Sequence, residues 1–234
     1  MKIGILQTGQ APEPLREPLG DYPDMFERLL EGRGLEFATW HVEGMEFPDS
    51  HHDAEGWLIT GSRHGVYEDH AFIAPLEAFI RAAFAAGQPI AGICFGHQIM
   101  AQALGGQVAK YDGGWVVGAQ EYDFEGTRLV LNAWHQDQVL RPPEGARVIA
   151  TNPGCAYAGL AYGDQALSVQ AHPEFDDQFI AGLIATRGRG VVPADLLRAA
   201  ETRQGGARHS DRIAARIAHL FHQHSPSATA SEPS

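Results

Sequence analysis

Cysteine is nearly absent: Cys94 and Cys155 are the only two in 234 residues. Two thiols cannot build the disulfide framework of a small secreted domain, and their spacing gives no CxxC metal motif. Positive charge is also scarce, with 17 Lys plus Arg against 29 Asp plus Glu and a formal net charge of −12. Such a surface repels phosphate backbones and anionic lipid heads, so neither nucleic acid nor a membrane is an expected partner. Long apolar runs are missing too. The opening "MKIGILQTGQ" has an apolar run that stops at Thr8, too short for a signal peptide, and no stretch reaches bilayer-spanning length. A cytoplasmic protein is the expectation. No Walker-type phosphate loop is present, so this chain is not expected to activate a substrate with ATP, and its residues ask for no cofactor and no metal.

What the chain does have is two alternating periodicities. Its 44% hydrophobic and 20% charged content is ordinary for a globular protein, and 234 residues suffice for one large core. Residues 2–9, 35–42, 56–61 and 89–94 read as buried strands. Residues 21–34, 75–87 and 96–106 read as helices, with Asp21 near one cap, Pro75 in a first turn and Gly87 at a stop. The Pro-rich segment 11–18 reads as a loop. This alternation predicts an α/β fold: an open, mostly parallel sheet with helices on both faces. Residues 115–124, 127–134, 146–152 and 166–172 read as shorter strands at hairpin spacing, a smaller antiparallel extension. Helical patterning returns at 176–187, 193–203 and 208–223. No linker divides residues 1–224, which are expected to form a single domain, and the tail 225–234, "SPSATASEPS", is expected to be disordered.

One cysteine sits at a tight corner. In "GICFGHQIMAQALGG" (92–106), Cys94 ends an apolar strand and opens a helix, flanked by Gly92 and Gly96. This is the sequence form of a nucleophile elbow, in which a side chain is projected above the sheet edge. The helix N-terminus adds partial positive charge beneath the sulfur, and the Phe95 N–H points where an oxyanion would form. A buried cysteine among small residues is by itself equally an inert core group. A second motif shifts the balance: "QAHPEF" (170–175) ends another apolar strand and carries His172 and Glu174. Two residues apart on extended chain, they share a face, so the carboxylate can orient the ring. Cysteine, histidine and carboxylate are the parts of a nucleophile–base–orienter triad.

The pair of motifs, G-x-C-x-G-x-Q at 92–98 and H-P-E at 172–174, resembles the class I glutamine amidotransferase domain, and the resemblance runs from about residue 1 to 185. It implies a flavodoxin-like sheet and a reaction in which Cys94 attacks the side-chain amide of glutamine, giving a γ-glutamyl thioester and ammonia. His172 then takes the role of base, Glu174 that of its orienter, and Gln98 a position that contacts bound glutamine. The segment 58–69, "LITGSRHGVYED", resembles the loop that supplies a second oxyanion N–H, here Ser62 or else Gly61. Fused members usually carry Gly-Gly-Pro or Asn-Gly-Pro there; Thr60-Gly61-Ser62-Arg63 instead resembles a free-standing, GMP synthase-like branch that includes γ-glutamyl peptidases. "AWHQDQV" (133–139) resembles a stretch that holds the glutamine backbone end, with Gln136 and Asp137 as the contacts. His135 reads as structural, Trp115 as packing, and Cys155 as structural.

Three readings of function follow. The first is a glutaminase-type amidotransferase that passes ammonia to a synthetase, whose acceptor site must lie on another chain because none is recognisable here. The second is a stand-alone γ-glutamyl peptidase using the same thioester chemistry. The third, a binding protein with a vestigial pocket, has no physical need for a full triad. Histidines at 219, 222 and 224, and "HHD" at 51–53, read as solvent-facing rather than metal-binding.

Overall fold

The computed structural model describes residues 1–224; the tail expected to be disordered lies outside them. Five parallel strands form one half of a nine-stranded sheet: β1 (Lys2–Leu6), β2 (Glu36–Trp40), β3 (Gly56–Ile59), β4 (Ile90–Ile93) and β11 (Ala166–Val169), in the order β2-β1-β3-β4-β11. The other half is antiparallel, running on through β10 (Cys155–Tyr162), β9 (Arg147–Asn152), β6 (Val116–Phe124) and β7 (Thr127–His135). A separate hairpin-like pair joins β5 (Gln107–Lys110) to β8 (Asp137–Arg141). This is the expected parallel sheet with its antiparallel extension, in flavodoxin-like order through the first four strands.

The inner parallel strands β1, β3, β4 and β11 bury both faces, which explains their apolar runs, whereas the edge strand β2 is only half-buried. Ile3, Ile5, Leu58, Ile93 and Val169 pack on one side with Phe26 of α2 (Tyr22–Leu29) and with Ile213, Ile217 and Phe221 of α6 (Ser210–Gln223). Leu6, Trp57 and Ile59 pack on the other with Leu76 and Ile80 of α3 (Ile73–Ala85) and Ile99 and Met100 of α4 (Phe95–Ala103). A third cluster gathers Leu15, Tyr22, Phe175, Phe179 and Leu183 beside the C-terminal edge of the sheet. Among the described residues, no helix is long and apolar enough to cross a membrane.

The structure departs from the sequence reading in three places. The Pro-rich segment is a helix, α1 (Glu13–Leu19): Pro14 falls in its first turn, where a missing N–H costs nothing. The helix expected over 176–187 is α5 (Asp177–Leu183) followed by a π-helical turn, Ile184–Gly188. Strands β5, β8 and β10 lie where no strand was expected.

Two glycines fix the corner after β4. A Cβ on Gly92 would meet the Gly96 carbonyl and Met100 Sδ, and one on Gly96 would collide with the Ile59 carbonyl. Helix α4 therefore starts pressed onto β3. Gly96→Ala is expected to destabilise the fold by about 2 kcal/mol or more, because backbone cannot move aside as a side-chain tip can. The urea midpoint measures it, and an unchanged midpoint would refute this packing account.

Candidate active site

Topology brings the two motifs together. Strands β3, β4 and β11 are parallel neighbours with Ile59 beside Gly92 and Ile93 beside Val169, so all three release their chains at one edge. That edge receives Gly61 and Ser62 from β3, Cys94 from β4, and Gln170 and His172 from β11. The far strand β7 curls back to the same place, where Asn132 accepts a 2.8 Å hydrogen bond from the His172 N–H.

Cys94 has φ 53° and ψ −101°, a left-handed conformation that side chains rarely adopt. Its N–H is held by the Val169 carbonyl at 2.9 Å. The strain is local and over-determined by Gly92, Gly96 and this bond, as is common where a side chain must be presented. Behind it, the Gly96 N–H is taken by the Thr60 carbonyl and the Gln98 N–H by the Cys94 carbonyl. Phe95 is the first residue of α4, where an N–H has no acceptor within the helix.

His172 Nδ1 lies 2.6 Å from Glu174 Oε1, with both side chains almost fully buried. Phe175 stacks on the His172 ring at 3.9 Å and 5°, so the ring is held from its edge and its face. Burial by itself drives the His172 pKa down, but the Glu174 carboxylate and the Cys94 sulfur together overcome it and raise the value to about 10. Imidazolium is thus the favoured form at neutral pH. Glu174 Oε2 has no partner among the described residues, which leaves its charge directed at the ring.

Gly61 closes the gap between the two. A Cβ there would stand 3.0 Å from His172 Cε1 and 3.8 Å from Cys94 Cβ. The Gly61 carbonyl accepts from the hydroxyls of Thr8 and Thr60, each at 3.1 Å. In a trans peptide the following N–H points the opposite way, so this anchor turns the Ser62 N–H away from the two threonines.

Gln98 is buried, and its amide group donates to the Asp137 carbonyl at 2.8 Å and to Gln170 Oε1 at 3.1 Å. With both hydrogens committed, only its oxygen is free to accept. Gln170, fully buried, donates in turn to Cys94 Sγ at 3.6 Å. The sequence reading passed over Gln170, although it shares the alternate-residue face of His172. Gln136 reaches the Tyr111 carbonyl at 3.3 Å, and Asp137 accepts from the Tyr67 hydroxyl at 3.1 Å. Ser62, Cys94, Gln98, Gln136, Asp137 and His172 all line a single cavity of about 570 Å³. His135 lines it as well. Burial first, then the neighbouring His172, push its pKa down to about 3, so it is neutral, and its Nε2 has no partner among the described residues. Trp115 is also part of the lining. Cys155 is buried on β10, where burial pushes its thiol up to about 12, unsuited to nucleophilic work.

A family profile described as Glutamine amidotransferase class-I matches residues 53–178, more than half of the chain. The chain belongs to the class I glutamine amidotransferase family. Gamma-glutamyl peptidase 2 of Arabidopsis thaliana is 27% identical over 197 residues, covering 78% of this chain and 79% of that protein. The glutamine-hydrolysing GMP synthase of Macrococcus caseolyticus is 34% identical over 128 residues, 51% of this chain but only 24% of that protein. The crystal structure of a glutamine amidotransferase from Methylobacillus flagellatus superposes with a TM-score of 0.72 at 20% identity, covering 97% of this chain and 94% of that one, a likeness of fold.

Proposed function

We propose that this class I amidotransferase hydrolyses a γ-glutamyl amide through a thioester on Cys94, with glutamine as substrate and ammonia as product. One observation carries the reading: a backbone-strained cysteine faces a buried histidine that is clamped at 2.6 Å by a carboxylate. Cys94 sulfur attacks the γ-carbonyl carbon, and the electron pair of the C=O moves to oxygen. The N–H groups of Phe95 and Ser62, with Gly61 as the alternative, stabilise that oxyanion. As the C–N bond breaks, the proton held by His172 passes to the leaving nitrogen. A water molecule then gives a proton to His172 and adds its oxygen to the thioester carbon, releasing glutamate and restoring the thiolate. Glu174 keeps His172 aligned throughout. Gln98, Gln136 and Asp137 are assigned to the amino-acid end of the substrate.

Gln170 acts as a positioning residue for the sulfur. Gln170→Leu is expected to lower kcat by ~10-fold through loss of its hydrogen bond to the reacting sulfur, with a smaller rise in KM because Gln98 also loses its Gln170 acceptor. A KM effect alone would move Gln170 to substrate binding.

A second reading, a γ-glutamyl peptidase, is favoured by the cavity. Its volume lies in the range that encloses ligands larger than one amino acid, and Trp115, Arg187 and Arg189 are among its lining. The assay that separates the two uses the purified chain without additions, first with glutamine and then with a panel of γ-glutamyl peptides. Ammonia from glutamine supports the first reading; cleavage of the peptides with silence on glutamine replaces it with the second. Silence on both would require a separate synthetase subunit as activator and ammonia acceptor. That partner is suggested by the match to one quarter of a GMP synthase.

A further inference from the structure

The loop between β3 and α3 gathers a second set of reactive side chains that the cysteine chemistry does not use. His64, Glu68 and His70 each place one ligand atom within 4.8 Å of the others. Glu68 Oε2 lies 2.8 Å from His70 Nε2 and 3.8 Å from His64 Nδ1, and the two imidazole rings are 4.0 Å apart.

The hydrogen-bond inventory of His64 gives the cluster its meaning. Its Nε2 lies 2.8 Å from Glu43 Oε1. A carboxylate only accepts, so in the neutral ring Nε2 carries the hydrogen and Nδ1 keeps the lone pair. That lone pair faces Glu68 Oε2, another acceptor. At 3.8 Å the two make no hydrogen bond, and an ion seated between them would take a lone pair from each.

We infer that His64, Glu68 and His70 bind a divalent transition-metal ion, Zn²⁺ fitting best, with Glu43 orienting His64 from behind. Zinc with 2.0–2.1 Å bonds and tetrahedral angles sets its ligand atoms about 3.3 Å apart. The separations of 2.8 and 3.8 Å bracket that value. His70 Nε2 donates to Glu68 in the metal-free site and gives up that hydrogen, by a change of tautomer, when the ion takes its lone pair. Two imidazoles and one carboxylate leave a fourth position for water, and nitrogen donors disfavour Mg²⁺ and Ca²⁺. The carboxylate–histidine–metal relay through Glu43 is the usual device for fixing the tautomer of a ligating ring. His64 and Glu68 also line the cavity that holds Cys94, and Ser62 lies two residues upstream. An ion here would staple the loop that carries the proposed oxyanion donor.

The test uses the untagged full chain, stripped with a chelator and titrated with Zn²⁺ against a colorimetric competitor. Wild type is expected to bind one equivalent with micromolar or tighter affinity. His64→Ala and His70→Ala should each weaken it by at least ~10-fold, and Glu43→Gln by ~10-fold. Circular dichroism and Tm verify that each variant is folded. Because a thiolate also attracts zinc, the titration is repeated on Cys94→Ala and with Co²⁺. The inference expects undiminished binding in Cys94→Ala and a Co²⁺ spectrum without thiolate charge transfer. Binding that disappears with Cys94, that survives in the His64→Ala/His70→Ala double variant, or that is absent from wild type overturns it.

Discussion

Cys94→Ala is expected to abolish γ-glutamyl hydrolysis, with a loss of at least about 10⁴-fold, and to leave the fold intact. Removing the nucleophile of a triad eliminates the covalent route entirely, and what remains is only the rate that binding and the oxyanion donors supply. The fold persists because alanine keeps the Cβ and the N–H that bonds to Val169. Alanine does not relieve the φ of 53°, whereas glycine occupies it freely. Cys94→Gly is therefore expected to be equally inactive but more stable, by about 1 kcal/mol. The two variants together separate chemistry from strain. Comparable activity in either would remove Cys94 from the reaction; a glycine variant less stable than the alanine one would show that the elbow is not strained.

Glu174→Gln is expected to lower kcat by ~10²-fold or more, since a glutamine can hold the ring in the wrong tautomer. It should also move the alkaline limb of the pH–rate profile. The Glu174 charge is among the influences that lift His172 to about 10, so its loss must bring that value down. With wild type, protonation of the leaving nitrogen fails only as pH rises through about 10. With the variant the same fall comes at lower pH. The sign for stability is the same. A histidine whose pKa is raised on folding, from 6.5 to about 10, stabilises the native state fully below 6.5. That contribution fades as pH climbs through about 10, and it should shrink in Glu174→Gln. An alkaline limb that stays in place would show that His172 is tuned by something other than this carboxylate.

The parts of this site that could be read from the sequence are those whose residues carry their own chemistry and lie close in the chain. Gly92, Cys94 and Gly96 announce an elbow because only small residues survive there. His172 and Glu174 announce a pair because alternate residues of an extended strand share a face. Their proximity to each other depended on β4 and β11 being neighbours, which strand–helix alternation leaves open and the family resemblance supplied. Gln170 was missed because a buried amide carries no signal until its partners, Gln98 and Cys94, are in place. His135, read as structural, lines the same cavity, and that its Nε2 is unpartnered among the described residues could not be read from the chain.

The fold was legible where apolar periodicity was strong and obscure where composition misled. Strand β10, "CAYAGLAY", is rich in alanine and glycine and poor in β-branched residues, yet it is buried between β9 and β11. Strands β5 and β8 have four and five residues, too few for alternation to register. Segment 13–19 carries two prolines, which ordinarily argue against a helix. Pro14 is tolerated near its start, and Leu15 anchors the turn in the apolar cluster with Phe179 and Leu183.

The central claim, that the Cys94 sulfur is the atom that attacks the γ-carbonyl, is tested most directly with an electrophilic chloroketone analogue of glutamine followed by peptide mass spectrometry. The account predicts one equivalent of label, on Cys94, appearing in step with loss of activity, slowed by substrate and absent from Cys155. Complete inactivation with Cys94 unmodified would contradict it.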